Sequence, residues 1–131
     1  METPKAPFSE INDSAEFLKD LKRLSKKFPS LEEDLKTFKN TALKAFHQLG
    51  QENLGIFRIA NLGFDNPKVY KAKKFACKSL KGKGAATGIR IIYAFYPEKN
   101  AILLIAIYFK ADQENENRER ICSCVRNFQM D

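Results

Sequence analysis

The chain has 131 residues, of which 44% are hydrophobic and 30% are charged, and its formal net charge is +7. This length fits one hydrophobic core, so we expect a single domain over residues 1–131. No stretch reaches the roughly 18 consecutive apolar residues that a membrane helix needs, and no apolar segment follows Met1 as in a secretory signal. We therefore expect a cytoplasmic protein without a membrane partner.

Cysteine and histidine are too few to indicate a metal or a disulfide framework. The three cysteines are Cys77, Cys122 and Cys124, and an odd number at these spacings is not typical of paired cysteines. A closed zinc site needs four ligands, whereas this sequence offers one Cys-x-Cys with a distant cysteine and His47. We interpret the cysteines as buried or half-exposed thiols and His47 as a structural residue, and we expect no metal and no cofactor.

The chain opens with a strand and a helix. Pro7–Ile11 is a short strand candidate. Asn12-Asp13-Ser14 then supplies residues suited to a helix N-cap, and Asp13 and Glu16 have the spacing of a capping box. Pro29 ends the helix, because the residue before a proline avoids the helical region. The apolar residues recur at helical spacing and predict one buried face: Phe17, Leu18, Leu21, Leu24 and Phe28.

A second helix follows after a short connection. Ser30 and Glu33 form another capping box, and Gly50 suits the position just after a helix end. Because the connection is short, the two helices are expected to form an antiparallel hairpin. Its apolar stripe consists of Leu31, Leu35, Phe38, Ala42, Ala45, Phe46 and Leu49.

The second half of the chain predicts strands. Ile56–Ile59, Val69–Cys77, Ile89–Tyr96 and Ala101–Lys110 have extended character, and in Ile89–Tyr96 the side chains alternate between two faces. Ala101–Lys110 is apolar on both faces, which predicts the most central strand, covered on both sides.

A last helix is expected to begin at Asp112, with Glu114 and Glu116 in its first turn and a sparse apolar stripe of Ile121, Val125 and Phe128. The fold class is therefore α+β. We expect an antiparallel sheet of about four to five strands, packed by the N-terminal helical hairpin and followed by a C-terminal helix. The other face of the sheet, or one edge, is expected to present the basic residues.

The positive charge is concentrated in one segment. Residues 68–90 contain seven lysines and one arginine and no acidic residue, whereas the rest of the chain has 15 basic and 16 acidic residues. This distribution indicates a polyanion or an acidic protein as partner.

Within that segment, Lys71 and Lys73 project from the same face of a strand, and Arg90 can lie beside them on the next strand, with Lys110 closing the cluster. These lysines could alternatively line a solvated edge strand that resists aggregation. Two interpretations of Gly82–Gly84 are open: a segment that approaches a phosphate backbone closely, or a flexible hairpin loop.

Four short motifs, in this order, resemble the RelE/ParE toxin superfamily of type II toxin–antitoxin systems, in particular RelE- and HigB-like members. They are Val69-Tyr70-Lys71-Ala72-Lys73, the basic loop Leu80-Lys81-Gly82-Lys83-Gly84, the strand Gly88-Ile89-Arg90-Ile91-Ile92-Tyr93, and Ile107-Tyr108-Phe109-Lys110. The upstream helical hairpin also matches that family's layout, so the resemblance covers Phe8 to Ile121.

The resemblance implies a toxin that binds a cognate antitoxin and acts as a metal-independent endoribonuclease on mRNA, either free or on the ribosome, and so inhibits translation. It implies a catalytic set of Lys71, Lys73, Arg90 and Lys110. The implied activity is that of a hydrolase in which Lys71 or Lys73 assists removal of the RNA 2′-OH proton, Arg90 stabilises the phosphorane-like transition state, and Lys110 neutralises the leaving side or the phosphate. Further nucleic-acid contacts are expected from Lys68, Lys74, Lys78, Lys81, Lys83 and Tyr108.

The segment after Lys110 departs from the family pattern. RelE-like nucleases often place an arginine and a tyrosine there, whereas Ala111–Asn117 is acidic and has neither. An acidic patch beside the site would repel RNA. The alternative is therefore a non-enzymatic protein, either a ParE-like toxin directed at DNA gyrase or an inactive binding protein with the toxin fold.

Overall fold

A computed structural model describes residues 8–128. The fold is α+β, with five strands in one mixed sheet and helices on both sides of it. The elements in chain order are β1 (Glu10–Asp13), α1 (Ala15–Lys27), α2 (Leu31–Asn40), α3 (Ala42–His47), β2 (Ile56–Arg58), β3 (Lys68–Ala72), β4 (Ile89–Tyr96), β5 (Ala101–Phe109) and α4 (Arg118–Asn127).

The sheet has the strand order β1-β5-β4-β3-β2. The pairs β2–β3, β3–β4 and β4–β5 are antiparallel, and β1 runs parallel to β5. The expected sheet of four to five mostly antiparallel strands is confirmed. The prediction that Ala101–Lys110 is the most central strand is wrong, because β1 pairs outside it and leaves β4 in the middle. Its burial on both faces is confirmed.

The first face of the sheet packs against α1, α2 and α3. Alternate strand residues such as Ile91 and Leu104 join the apolar sides of these helices in one large core cluster. Each fully buried aliphatic side chain in such a core contributes about 1.5–3 kcal/mol. Leu18 and Leu49 are exceptions to the predicted stripes, because 49% and 63% of their surfaces remain exposed.

The second face of the sheet is covered in part by α4. Ile121 is buried against Ile92, Leu103 and Ile105, with Val125 packed beside it. The apolar stripe predicted for the last helix is therefore confirmed. The expectation that this face mainly presents basic residues holds only where α4 does not reach, at the end where β4 begins and β5 ends.

Two predicted helix starts differ from the structure, and a third, at Ser30, lies where predicted but lacks the side-chain capping bond. Ser14 rather than Asp13 caps α1, and its Oγ accepts a hydrogen bond of 3.1 Å from the Phe17 amide. Ser30 makes no cap contact, because its hydroxyl donates to the Asp34 carboxylate at 2.6 Å. Asn117 rather than Asp112 caps α4.

Because α4 is capped by Asn117, residues 112–116 form a connection and not a first helical turn. The acidic side chains of this connection can therefore contact other elements. The second predicted helix also divides at Thr41 into α2 and α3. The strand expected at Val69–Cys77 ends at Ala72, and the one at Pro7–Ile11 begins at Glu10; Pro7 lies outside the described residues.

Asp20 joins both layers at the edge of the sheet. Beyond Leu104, β5 has no strand partner on the β1 side among the described residues, and the Ile107 amide donates to Asp20 at 3.2 Å. Arg120 of α4 makes two hydrogen bonds to the same carboxylate, which is only 4% exposed. The pair therefore connects α1, β5 and α4. Within residues 8–128 no helix is long and apolar enough to cross a membrane.

Candidate nucleic-acid interface

A groove of about 650 Å³ lies where β4 begins and β5 ends. Five of the described residues that line it are basic and none is acidic: Lys73, Lys74, Lys83, Arg90 and Lys110. Ala85, Ala86 and Gly88 complete the lining. The structure thus brings three of the four predicted catalytic residues, and two of the predicted nucleic-acid contacts, into one concave surface.

The backbone around Gly55 positions two of these lysines. The Lys73 amide donates to the Gly55 carbonyl at 2.8 Å, just beyond the end of β3. Gly55 has a φ of +72°, and a Cβ there would lie 2.5 Å from Cγ of Lys74. The aliphatic stem of Lys74 therefore lies directly over a glycine, which leaves its charged end free to extend into the groove.

Arg90 is fixed by a hydrogen bond to the neighbouring chain segment. Its Nη1 donates to the carbonyl oxygen of Lys73 at 2.8 Å. This bond occupies one of the five guanidinium N–H donors and leaves the others available for an anion. The Lys110 amide donates to the Gly88 carbonyl at 2.8 Å, which holds Lys110 beside Gly88 in the lining of the groove.

Lys71, the remaining predicted catalytic residue, does not line the groove. Its Nζ forms an ion pair of 2.8 Å with the Glu116 carboxylate, and each side chain is only 15% exposed. Glu116 belongs to the connection before α4, which sequence reasoning had assigned to a helix. The acidic segment therefore neutralises one lysine of the basic cluster by direct contact.

The pKa of Glu116 reflects this contact. Burial raises the pKa of the carboxyl, but the hydrogen bond from Lys71 and the positive charges of Lys71 and Arg118 lower it. The net direction is downward, so the Glu116 pKa lies below its ordinary value and the carboxylate remains charged at neutral pH.

Tyr108 is not available as a surface contact. It is 4% exposed, and its hydroxyl is buried without a hydrogen-bond partner among the described residues. Burial and the negative charge of Glu116 raise its pKa to about 12, although Arg90, directly opposite on β4, lowers it. Tyr108 therefore lies buried opposite Arg90 and, contrary to the prediction, is not among the residues that line the groove.

The other predicted nucleic-acid contacts are spread around the groove. Lys78 pairs with Glu33 at 2.6 Å, and this contact raises the Lys78 pKa. Lys81 is exposed in the loop before the groove, and Lys68 is half-buried at the start of β3. None of these three is among the residues that line the groove.

Phe57 is a feature that sequence reasoning missed. It lies on the edge strand β2, directly opposite Lys71, and 54% of its surface is exposed. The Lys73 ammonium lies 5.2 Å from the centre of its ring. The strand alternation of β2 indicates this position in the sequence: if Ile56 faces the core, the next residue must face the other side of the sheet.

His47 has a structural environment. Its Nε2 lies 2.7 Å from the Tyr93 hydroxyl, and its ring packs against Phe46, Tyr70 and Phe95. Burial raises the pKa of Tyr93 well above its ordinary value. The cysteines are unpaired, with Cys77 buried and the other two half-buried. Among residues 8–128, no three metal-ligating side chains gather at one point.

The structure is similar to two solved RelE structures. One is the archaeal RelE–RelB complex from Pyrococcus horikoshii OT3, with a TM-score of 0.48 and 11% identity, covering 80% of this chain and 97% of that chain. The other is a mutant of the E. coli toxin RelE in the free state, with a TM-score of 0.47 and 17% identity, covering 95% of this chain and 100% of that chain. No protein-family model matches the sequence, and no curated protein matches it significantly.

Proposed function

We propose that this protein is a toxin-like endoribonuclease, a single domain over residues 1–131, that binds the RNA backbone in the basic groove and cleaves it there. The observation that carries the proposal is the convergence of Lys73, Arg90 and Lys110 on one concave surface whose described lining has no acidic residue. Like charges on one surface repel each other, and a bound polyanion relieves that repulsion.

The proposed chemistry needs only positive charge and proton transfer. The 2′-oxygen attacks the adjacent phosphorus while the uncharged amine form of Lys73 accepts the 2′-OH proton and becomes an ammonium, and the bond from phosphorus to the 5′-oxygen breaks. The products are a 2′,3′-cyclic phosphate and a 5′-hydroxyl, whose proton comes from Lys110 or water. Arg90 donates its free N–H groups to the phosphoryl oxygens, where charge develops in the transition state.

The role of Lys71 differs from the one expected from the sequence resemblance. Its ammonium group is held by Glu116, so it cannot reach the scissile phosphate unless that contact opens. Lys73 is therefore assigned the proton transfer, and Lys71 is assigned a phosphate contact that is regulated by Glu116.

The direct test is cleavage of a single-stranded RNA oligonucleotide, alone and on translating ribosomes. Wild-type protein should yield fragments with cyclic phosphate ends, and a 2′-deoxy nucleotide at the cleavage position should abolish the cut. Loss of one preorganised transition-state donor typically costs about 10²–10³ in rate, which is the effect expected for Arg90→Ala.

Lys22→Ala is the matched control, because it removes one positive charge from an exposed position on α1, away from the groove. It should leave cleavage within about twofold. Absence of cleavage in both settings, or equal activity of Arg90→Ala and the control, contradicts the nuclease proposal.

A second candidate function is favoured by the Lys71–Glu116 ion pair. A protein that binds without cutting has no need of a free lysine at this position, and the pair removes one from the predicted catalytic set. Such a protein would inhibit DNA gyrase or act as an inactive binder. Induction of a DNA-damage response with intact mRNA would support it against the nuclease.

A cognate antitoxin is part of this proposal. It is expected to cover the basic groove with acidic side chains, or to lie against apolar surface of the helical layer, where Leu18 and Leu49 are exposed. Co-purification with the product of a neighbouring gene, together with loss of RNA binding in the complex, is the expected result. A complex that still binds RNA fully would exclude the groove as the covered surface.

A further inference from the structure

We propose that Phe57 is a stacking platform for an unpaired nucleobase of the RNA that binds in the groove. This inference rests on the proposed function, because it adds a further binding residue to the same surface. It concerns a residue on β2, outside the motifs that carry the sequence resemblance.

The register of the sheet places Phe57 on the basic face. Phe57 lies opposite Lys71, Lys71 lies opposite Ile92, and directly paired residues project from the same side of a sheet. Ile92 belongs to the core cluster beneath α4, so this is the face on which Arg90 also lies. Phe57, Lys71 and Ile92 therefore form a row of neighbouring side chains across this face of the sheet, with the Phe57 ring at its outer end.

The exposure of Phe57 is not explained by packing. Ile56 beside it is buried, whereas more than half of Phe57 is open to solvent on an edge strand. The described contact of the ring is with the Lys73 ammonium at 5.2 Å, and Lys73 itself lines the groove. An exposed aromatic ring thus lies one lysine side chain away from a row of phosphate-binding groups.

This combination is what a single strand requires. A cationic groove follows the backbone, while an aromatic ring beside it receives an unpaired base, and such stacking contributes about 1–3 kcal/mol per base. In a duplex the bases are already stacked on each other and cannot reach the ring. The exposed ring favours RNA over an acidic peptide, because a peptide carboxylate would contact the lysines but leave the ring without a planar partner.

Fluorescence anisotropy with a labelled single-stranded RNA provides the test. Phe57→Ala should weaken binding by about 5- to 150-fold, which corresponds to 1–3 kcal/mol. Phe57→Leu keeps apolar bulk but has no π-face and should weaken binding similarly, whereas Phe57→Tyr should bind like the wild type. Leu18→Ala, which truncates a similarly exposed apolar residue on α1, should have no effect.

Two readouts separate stacking from an indirect effect. The slope of log affinity against log salt should be unchanged in Phe57→Ala, because no charge is removed. A 2-aminopurine base in the RNA should be quenched on binding wild-type protein but not Phe57→Ala. A reduced salt slope would mean that the ring only positions Lys73, and would overturn the inference.

The failure of this inference is distinguishable from failure of the proposed function. If wild-type protein binds RNA, Arg90→Ala weakens it and Phe57→Ala does not, stacking is wrong and the groove assignment stands. Equal affinity of the wild type for duplex and single-stranded RNA also overturns the inference. If the wild type does not bind RNA at all, both are overturned.

Discussion

Replacing Glu116 with glutamine should strengthen RNA binding, because it removes the negative charge that holds Lys71. The ion pair has a length of 2.8 Å and both side chains are 15% exposed, so it lies between the surface and buried classes. Exposed pairs contribute about 0–1 kcal/mol and hydrogen bonds to charged groups about 1.5–3 kcal/mol. We take about 1–1.4 kcal/mol as the cost that RNA meets in displacing Glu116.

This cost corresponds to about a five- to tenfold gain in affinity for Glu116→Gln. The variant also frees one phosphate contact, so the slope of log affinity against log salt should steepen by about 0.7 for a single-stranded RNA. The measurement is a salt titration of RNA binding by anisotropy, from low to physiological ionic strength.

Glu114→Gln is the matched control, because it removes the same charge from the same connection at an exposed position. It should raise affinity only slightly, through the long-range field, and this effect should vanish at high salt. Equal gains for the two variants would show that net charge alone matters. An unchanged affinity for Glu116→Gln would refute the reasoning that this contact opposes RNA binding.

Three further predictions concern stability. Asp20→Ala should destabilise the fold by about 3–5 kcal/mol in urea unfolding, because it leaves the partly buried Arg120 without its carboxylate. The pKa of Glu116 is lower in the folded state than its ordinary value of 4.5. The stabilisation from Glu116 should therefore be fully present above pH 4.5 and disappear as the pH falls through the folded-state pKa. The difference in unfolding free energy between wild type and Glu116→Gln, followed against pH, measures this stabilisation. Gly55→Ala should cost about 1–2 kcal/mol for the left-handed backbone, and should also displace Lys74.

Each of these has a contradicting outcome. Arg23→Ala removes the exposed second partner of Asp20, at 3.4 Å, and should cost less than about 1 kcal/mol. A loss equal to that of Asp20→Ala would contradict the assignment of Arg120 as the partner that matters most for stability. A pH-independent contribution from Glu116 would contradict its lowered pKa. A Gly55→Ala protein with unchanged stability would show that the loop relaxes freely.

Much of the fold could be predicted because strand alternation and helical periodicity are local signals. The span Ile89–Tyr96 matches β4, and its two faces separate into the two core clusters as the alternation indicates. The structure also has a register shift at Ile92/Tyr93 within β4–β5. Such a shift depends on the partner strand, so one strand's pattern cannot reveal it.

Helix starts were harder to predict, because several polar residues in a row satisfy the same capping rule. Ser14 occupies the N-cap of α1, whereas Asp13 ends β1 and accepts a 3.3 Å hydrogen bond from Lys39. Asn117 occupies the N-cap of α4, five residues after the predicted cap Asp112. The contact of Asp13 with Lys39 is tertiary, and a local capping rule does not take it into account.

The sequence predicts most of the basic residues of the candidate site, but not which of the lysines is held in an ion pair. Charge and spacing selected Lys73, Arg90 and Lys110, and the structure brings them to one groove. Sequence could not show that Glu116 lies against Lys71, because 45 residues separate them in the chain. The sequence predicts a general repulsion of RNA by the acidic segment, whereas in the structure Glu116 of this segment forms an ion pair with Lys71.

The most direct test of the central claim is the salt dependence of RNA binding when the groove loses its charge. A variant with Lys73→Gln, Arg90→Gln and Lys110→Gln should bind single-stranded RNA more weakly, with a salt slope smaller by about two, since each phosphate contact contributes about 0.7. A variant with three exposed lysines of the helices replaced, Lys19→Gln, Lys22→Gln and Lys36→Gln, should keep the wild-type slope. Equal slopes for the two triple variants would show that RNA binds elsewhere and would contradict the account.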